Sequence, residues 1–247
     1  LPPLKVYRLQ KIQKIIFSIL ISFGCFVGLS FAELNKSVAV TTKVVANSFF
    51  ELYTTLNLQS LGLSQSAFNY AIVGYNQLLN TGKIKNDDVL SIIDFSLPSS
   101  KKRLFVIDLK QAVVLFNTYV SHGKNSGKDN ATIFSNKDNS FKSSLGFYVT
   151  ANTYNGKHGL SLRLEGEEKG INDNAMNRGI VMHAANYVSE NFINAQGYLG
   201  RSEGCPAIPA GLHKPIIEKI KDGSCLFIYS VDKYYTSHSR LITQKIG

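Results

Sequence analysis

From Pro98 onward the chain is a series of short apolar runs cut by polar loops, and this pattern does most to limit the fold. The runs are Arg103 to Leu109, Ala112 to Tyr119, Gly146 to Thr153, Leu160 to Leu164, Gly179 to His183 and Cys225 to Val231. They read as strands because branched and aromatic side chains pack well on a pleated surface. Loops rich in Gly, Asn, Ser and Lys separate them, as at 121 to 144 and 166 to 178. Lys110-Gln111 between the first two runs predicts a hairpin, and Lys101-Lys102-Arg103 ahead of them reads as a solvated charged edge. Leu212, Ile216, Ile217 and Ile220 predict one late helix with Gly223 as its stop. The expected fold class is mainly β (α+β), in a domain spanning 99–247.

Upstream the period changes. Val45, Phe49, Leu52 and Leu56 step by helical intervals. Ser64 is placed to cap a second helix carrying Phe68, Ile72, Tyr75 and Leu79, with Gly82 at its end. Asn86 is placed to cap a short third helix through Val89 and Ile93. Residues 33–98 are therefore expected to be a helical segment whose apolar stripes are core. Residues 1–32 read as a signal peptide: Lys5, Arg8, Lys11 and Lys14 precede the apolar stretch Ile15 to Phe31, and Ser30-Phe31-Ala32 fits a cleavage site. An uncleaved anchor is the alternative. Either way the expected location is exported, periplasmic or cell envelope, with the membrane touched only through this segment.

The whole chain carries 27 Lys and Arg against 17 Asp and Glu, a formal charge of +10. The leader holds four of those bases and no acid, so +6 remains without it. A basic surface suits nucleic acid, an anionic surface or an acidic polymer. No nucleic-acid motif appears and aromatics do not interleave the basic runs, so nucleic acid is not expected as a partner. Nothing in the sequence sets an oligomeric state.

The chemistry-bearing residues cluster between Gly179 and Pro209. His183 ends an apolar run, and Cys205 lies in the turn Ser202-Glu203-Gly204-Cys205-Pro206. A nucleophilic cysteine needs partial exposure, a base, and backbone N–H groups free to hold an oxyanion. Gly204 permits the backbone angles such a turn requires. The competing reading is a Cys205–Cys225 disulfide, the default for two cysteines in an oxidising compartment. His122, His158 and His183 are zinc-ligand types, as is Cys205, but compact metal spacings are absent. Neither a Walker loop nor a dinucleotide fingerprint is present, and no cofactor is expected.

At these residues the chain resembles a known family. The His…Ser-x-Gly-Cys arrangement is similar to the L,D-transpeptidase (YkuD-type) catalytic domain, in the murein branch that carries Gly-Cys-Pro-Ala. The resemblance rests on IIDFSLPSSKKRLFVIDL (92 to 109), NTYVSHGKNSG (117 to 127), SSLGFYVTANTYNGKHGLSLRL (143 to 164), RGIVMHAANYVS and GYLGRSEGCPAIP. It implies a β-rich fold and a cysteine acyltransferase acting on peptidoglycan stem peptides. A thioester forms at the third stem residue and the terminal D-Ala leaves. A second stem's amine then gives a 3→3 cross-link, or water gives L,D-carboxypeptidase activity. By position, Cys205 is the nucleophile, His183 the general base, Gly204 and Cys205 the oxyanion donors, and Ser202 the residue shaping the turn. Arg201 and Arg178 are candidates for binding substrate carboxylates, and His158 with Gly159 for lining the cleft. Glu203 stands where His is frequent, Ala184 where Gly is common, and Ala207 where a basic or polar residue is usual. A non-catalytic wall-binding module with a Cys205–Cys225 bridge, or a different cysteine hydrolase, are the alternatives.

Overall fold

Helix α1 (Gln65–Asn80) begins where the sequence predicts, in a computed structural model that describes residues 51–243. The leader and the stripe residues Val45 and Phe49 lie outside the described residues; residues 51–55 are helical. Ser64 caps α1 by accepting the Ala67 N–H at 3.2 Å. Phe68, Ile72 and Tyr75 are buried as expected, but Leu78 rather than Leu79 completes the face. Gly82 takes a positive φ of 71° just past the helix end.

The strands are β1 (Val89–Asp94), β2 (Leu104–Asp108), β3 (Val113–Thr118), β4 (Gly146–Gly156), β5 (Gly159–Gly166), β6 (Val181–Ala184), β7 (Ala207–Ile208) and β8 (Cys225–Tyr229). They form one sheet in the order β3-β2-β1-β8-β4-β5-β6-β7. The β2–β3 hairpin forms where Lys110-Gln111 placed it, with the Asp108 carboxylate accepting the Gln111 N–H at 2.8 Å. Beyond β3 the chain returns to the opposite end of the sheet. Ser121 N–H donates to Ala207 O at 2.8 Å, and Gly123 bridges Ser202. The sheet thus closes on itself along a seam next to β7.

The third helix expected after Asn86 is instead β1. It pairs antiparallel with β2 and parallel with β8, and all six of its residues are buried. A strand buried on both faces needs no apolar–polar alternation, so Val89 and Ile93 offered a false helical spacing. Arg103 is also corrected: it is not a solvated edge but fully buried at the mouth of β2. Short helices α2 (Glu190–Gln196), α3 (His213–Ile220), α4 (Lys233–His238) and α5 (Arg240–Thr243) follow. The late helix predicted from its isoleucines is α3, with Ile216, Ile217 and Ile220 buried, and Gly223 lies beyond it at a φ of 106°. Leu52–Gly247 is one compact unit, so residue 98 falls inside it, in the turn between β1 and β2.

Candidate active site

The seam brings His183 and Cys205 onto adjacent segments. His183 lies in β6, flanked by Ser161 of β5 and Ala207 of β7. Because β6 and β7 run parallel, Cys205 lies two residues before the partner of His183. That is an offset of about 7 Å along the strand direction. Among the described residues no direct hydrogen bond joins the two side chains. The Cys205 thiol accepts the Val181 N–H at 3.5 Å and points its own hydrogen toward Gly179 O at 3.7 Å. His183 is buried and its Nδ1 meets Ala184 O at 2.8 Å. A carbonyl only accepts, so Nδ1 carries the proton and the lone pair stays on Nε2.

Ser202 sets the shape of the turn. Its hydroxyl accepts the Gly204 N–H at 3.1 Å and donates to Cys205 O at 2.6 Å. One expected oxyanion donor, the Gly204 N–H, is therefore already engaged, while the Cys205 N–H has no partner among the described residues. Gly204 has a φ of 124°, and a Cβ there would stand 2.8 Å from Lys142 O. Only glycine takes this place without strain.

Electrostatics set the resting protonation. Burial pushes the Cys205 thiol up, and Glu203 adds to that; the Val181 N–H and the Arg178 cation pull the other way. Burial pushes His183 below the ordinary imidazole range, the bond to Ala184 opposes this, and His158 adds to it. The resting pair is then a neutral thiol and a neutral imidazole, a base ready to take a proton. Glu203 is partly neutralised by Lys124, whose Nζ lies 3.0 Å away, although both side chains are exposed.

The other expected residues divide. His158 occupies the two-residue turn between β4 and β5 and stacks on the His183 ring at 4.4 Å between centroids. Gly159 follows it at a φ of 76°. Arg201 is exposed, with Nη1 bonded to Lys124 O and Gly127 O. Arg178 is already well occupied: it donates to Ser135 O, Ser144 Oγ, Ser140 Oγ and Lys142 O. It ties the 135–144 loop beside the thiol. The proposed disulfide is absent: both thiols are free, and Cys225 is fully buried in β8.

Sequence reasoning missed the strut beneath the turn. Arg103 donates to Val120 O through Nε and Nη2, to Leu97 O through Nη1, and to His122 Nδ1 at 2.8 Å. Arginine has no acceptor, so His122 carries its proton on Nε2 and donates it to Gly127 O at 3.2 Å. Burial beside that cation pushes His122 down to about 4. The His122 backbone carbonyl then accepts the Ser202 N–H at 2.9 Å, linking the strut to the turn. The hint in the sequence was an arginine directly before a strand buried throughout. Among the described residues no group of three His, Cys, Asp or Glu side chains can hold a metal ion.

Three comparisons bear on identity. No curated protein matches the chain. Among solved structures it is similar to an L,D-transpeptidase from Mycobacterium smegmatis, at 15% identity over 57% of this chain and 58% of that one, with a TM-score of 0.36. It is also similar to the helical cell shape determining protein Pgp2 from Campylobacter jejuni, at 13% identity over 59% and 48%, with a TM-score of 0.39. The match thus spans less than two thirds of either relative's length. The model of the L,D-transpeptidase catalytic domain, YkuD_2, matches residues 59–229. That span takes in every strand among the described residues and the whole seam with His183 and Cys205. The chain belongs to the L,D-transpeptidase catalytic-domain family.

Proposed function

We propose that the protein is an exported cysteine acyltransferase that works on peptidoglycan stem peptides. The observation that carries this reading is the fixed tautomer of His183. Its Nδ1–H is held by Ala184 O, which leaves Nε2 as the acceptor on a strand next to the Cys205 turn. Family membership supports this reaction class.

In the proposed first step His183 Nε2 takes the Cys205 proton, and Sγ attacks the carbonyl carbon of the third stem residue. The carbonyl oxygen becomes an oxyanion facing the Cys205 N–H. The C–N bond to the terminal D-Ala breaks, His183 returns its proton to the departing amine, and a thioester remains. A side-chain amine of a second stem, or water, then attacks the thioester. His183 takes the incoming proton, and the thiol is regenerated on collapse. For this the thiol must turn from Gly179 O toward His183, a rotation about one side-chain bond. Residues 1–32, read as a leader, support a location in the cell envelope, and the excess of basic residues suits an acidic wall polymer.

The test is to incubate purified protein with disaccharide tetrapeptides, wild type beside Cys205→Ala, and weigh the products. A cross-linked dimer lacking one D-Ala, or a tripeptide, formed by wild type alone is expected. No product from protein with a titratable, reduced Cys205 would overturn the reading.

A further inference from the structure

The seam continues past His183 into an open cleft of about 440 Å³ between the exits of β3, β6 and β7. Asn117 and Tyr119 line one side, Asn186 and Glu190 another, and Pro209 to Leu212 the floor, with Lys102 at the rim. Tyr119 is half-buried against the cluster of Ala185, Val188, Leu199 and Ala207, which fixes its ring, and its hydroxyl donates to Glu190 Oε1 at 3.3 Å. A held aromatic ring ringed by amides, one carboxylate and one ammonium is a mixed surface. It suits a ligand with an apolar C–H face and equatorial hydroxyl or amide groups, which describes an N-acetylated hexosamine.

Position strengthens the match. Pro209 lies four residues beyond Cys205, and its neighbour across the strands, Ala185, two beyond His183, so the near edge of the cleft is about 13 Å along the strands from the thiol. A stem peptide in extended form spans about 10 Å from its sugar-bearing end to the carbonyl of its third residue. A stem lying along the seam with that carbonyl at Cys205 would bring its sugar to the near edge of this cleft.

We infer that this cleft is a saccharide subsite that binds the glycan end of the donor and holds the stem peptide along the seam. The inference rests on the stem-peptide reading above. Binding energy from the sugar would then be spent on positioning the carbonyl, which appears in the comparison of sugar-bearing with sugar-free substrate.

The experiment has two arms on the full-length protein. In the first, N,N′,N″-triacetylchitotriose, a peptide-free probe, is titrated by calorimetry into wild type, Tyr119→Ala and Asn186→Ala. Saturable binding weakened about tenfold in each variant is expected. Asn186 is exposed, so its variant remains informative should Tyr119→Ala fail to fold. In the second, kcat/KM is compared for a disaccharide tetrapeptide and the same tetrapeptide without sugar. Wild type should favour the sugar-bearing substrate by about tenfold or more, and the variants should bring the ratio toward one. Equal kcat/KM values in wild type, or saccharide binding indifferent to both variants, would overturn the subsite. Turnover of neither substrate would sink the catalytic reading instead, while the first arm would still report on the cleft.

Discussion

Gly204 is the residue on which the turn geometry depends most directly. A side chain there must bear a φ of 124° and stand 2.8 Å from Lys142 O, and any relief moves Cys205 next to it. Gly204→Ala should cost about 1–3 kcal/mol of stability. It should also lower turnover about 100-fold, since small misplacements of a nucleophile are costly. Thermal melts and kinetics on the same preparation check both. Arg178 acts through charge and through the loop it ties. Arg178→Gln removes a cation that favours the thiolate, so the midpoint for Cys205 alkylation by iodoacetamide should move to higher pH. A midpoint unchanged or lowered would show that the cation is not felt at the sulfur. His183 is the second titration. In the proposed reaction turnover requires its neutral form, so kcat/KM should rise with pH along a limb lying below the ordinary imidazole value of about 6.5. His158→Ala removes both cover and a like charge, so that limb should move up toward neutrality.

At the scale of elements, α1 packs on the sheet through a glycine. The Phe147 ring occupies the space a Cβ on Gly74 would need, and it stacks on Phe227 at 4.2 Å between centroids. Helix propensity alone favours alanine over glycine by about 1 kcal/mol. The packing predicts the opposite sign: Gly74→Ala should destabilise by about 1–3 kcal/mol, measured by urea denaturation, because the stacked ring has little room to yield. The C-terminal helices are tied down differently. Buried Glu168 accepts from Phe147 N–H at 2.8 Å, from Tyr235 OH at 3.1 Å and from the Ser239 hydroxyl. Glu168→Ala would leave three donors unpartnered and should cost about 3 kcal/mol. Burial holds this carboxyl above the usual range in spite of those bonds. Its contribution is therefore greatest in acid and declines as pH rises through the raised value, and the gap between wild type and variant should narrow accordingly.

At the scale of the whole molecule, the boundary read at residue 98 makes a sharp test. A fragment starting at 99 loses β1, which sits between β2 and β8, and α1, which covers the sheet with Phe68, Ile72 and Tyr75. It should fail to show dispersed amide resonances, whereas a fragment from 52 should show them. The hairpin, the β8 run, α1 and α3 were legible because each is set by local chemistry: apolar period, capping Ser64, stopping glycines. His183 and Cys205 were singled out because a cysteine after glycine in a tight turn is a chemical signature as well as a motif, and the structure places them on adjacent segments. β1 was not legible because burial on both faces erases alternation, nor β7, because two residues make no pattern. The sequence by itself determined the candidate residues for the chemistry and most of the short elements that present them. Only the tertiary structure decided their company. It closed the sheet so that residues 120–123 and Arg103 brace the turn, fixed the proton of His183 on Nδ1, engaged the Gly204 N–H with Ser202, and tied Arg178 into the 135–144 loop. The reason is physical: each of those facts is a contact between groups far apart in the chain, and no local period or propensity encodes it.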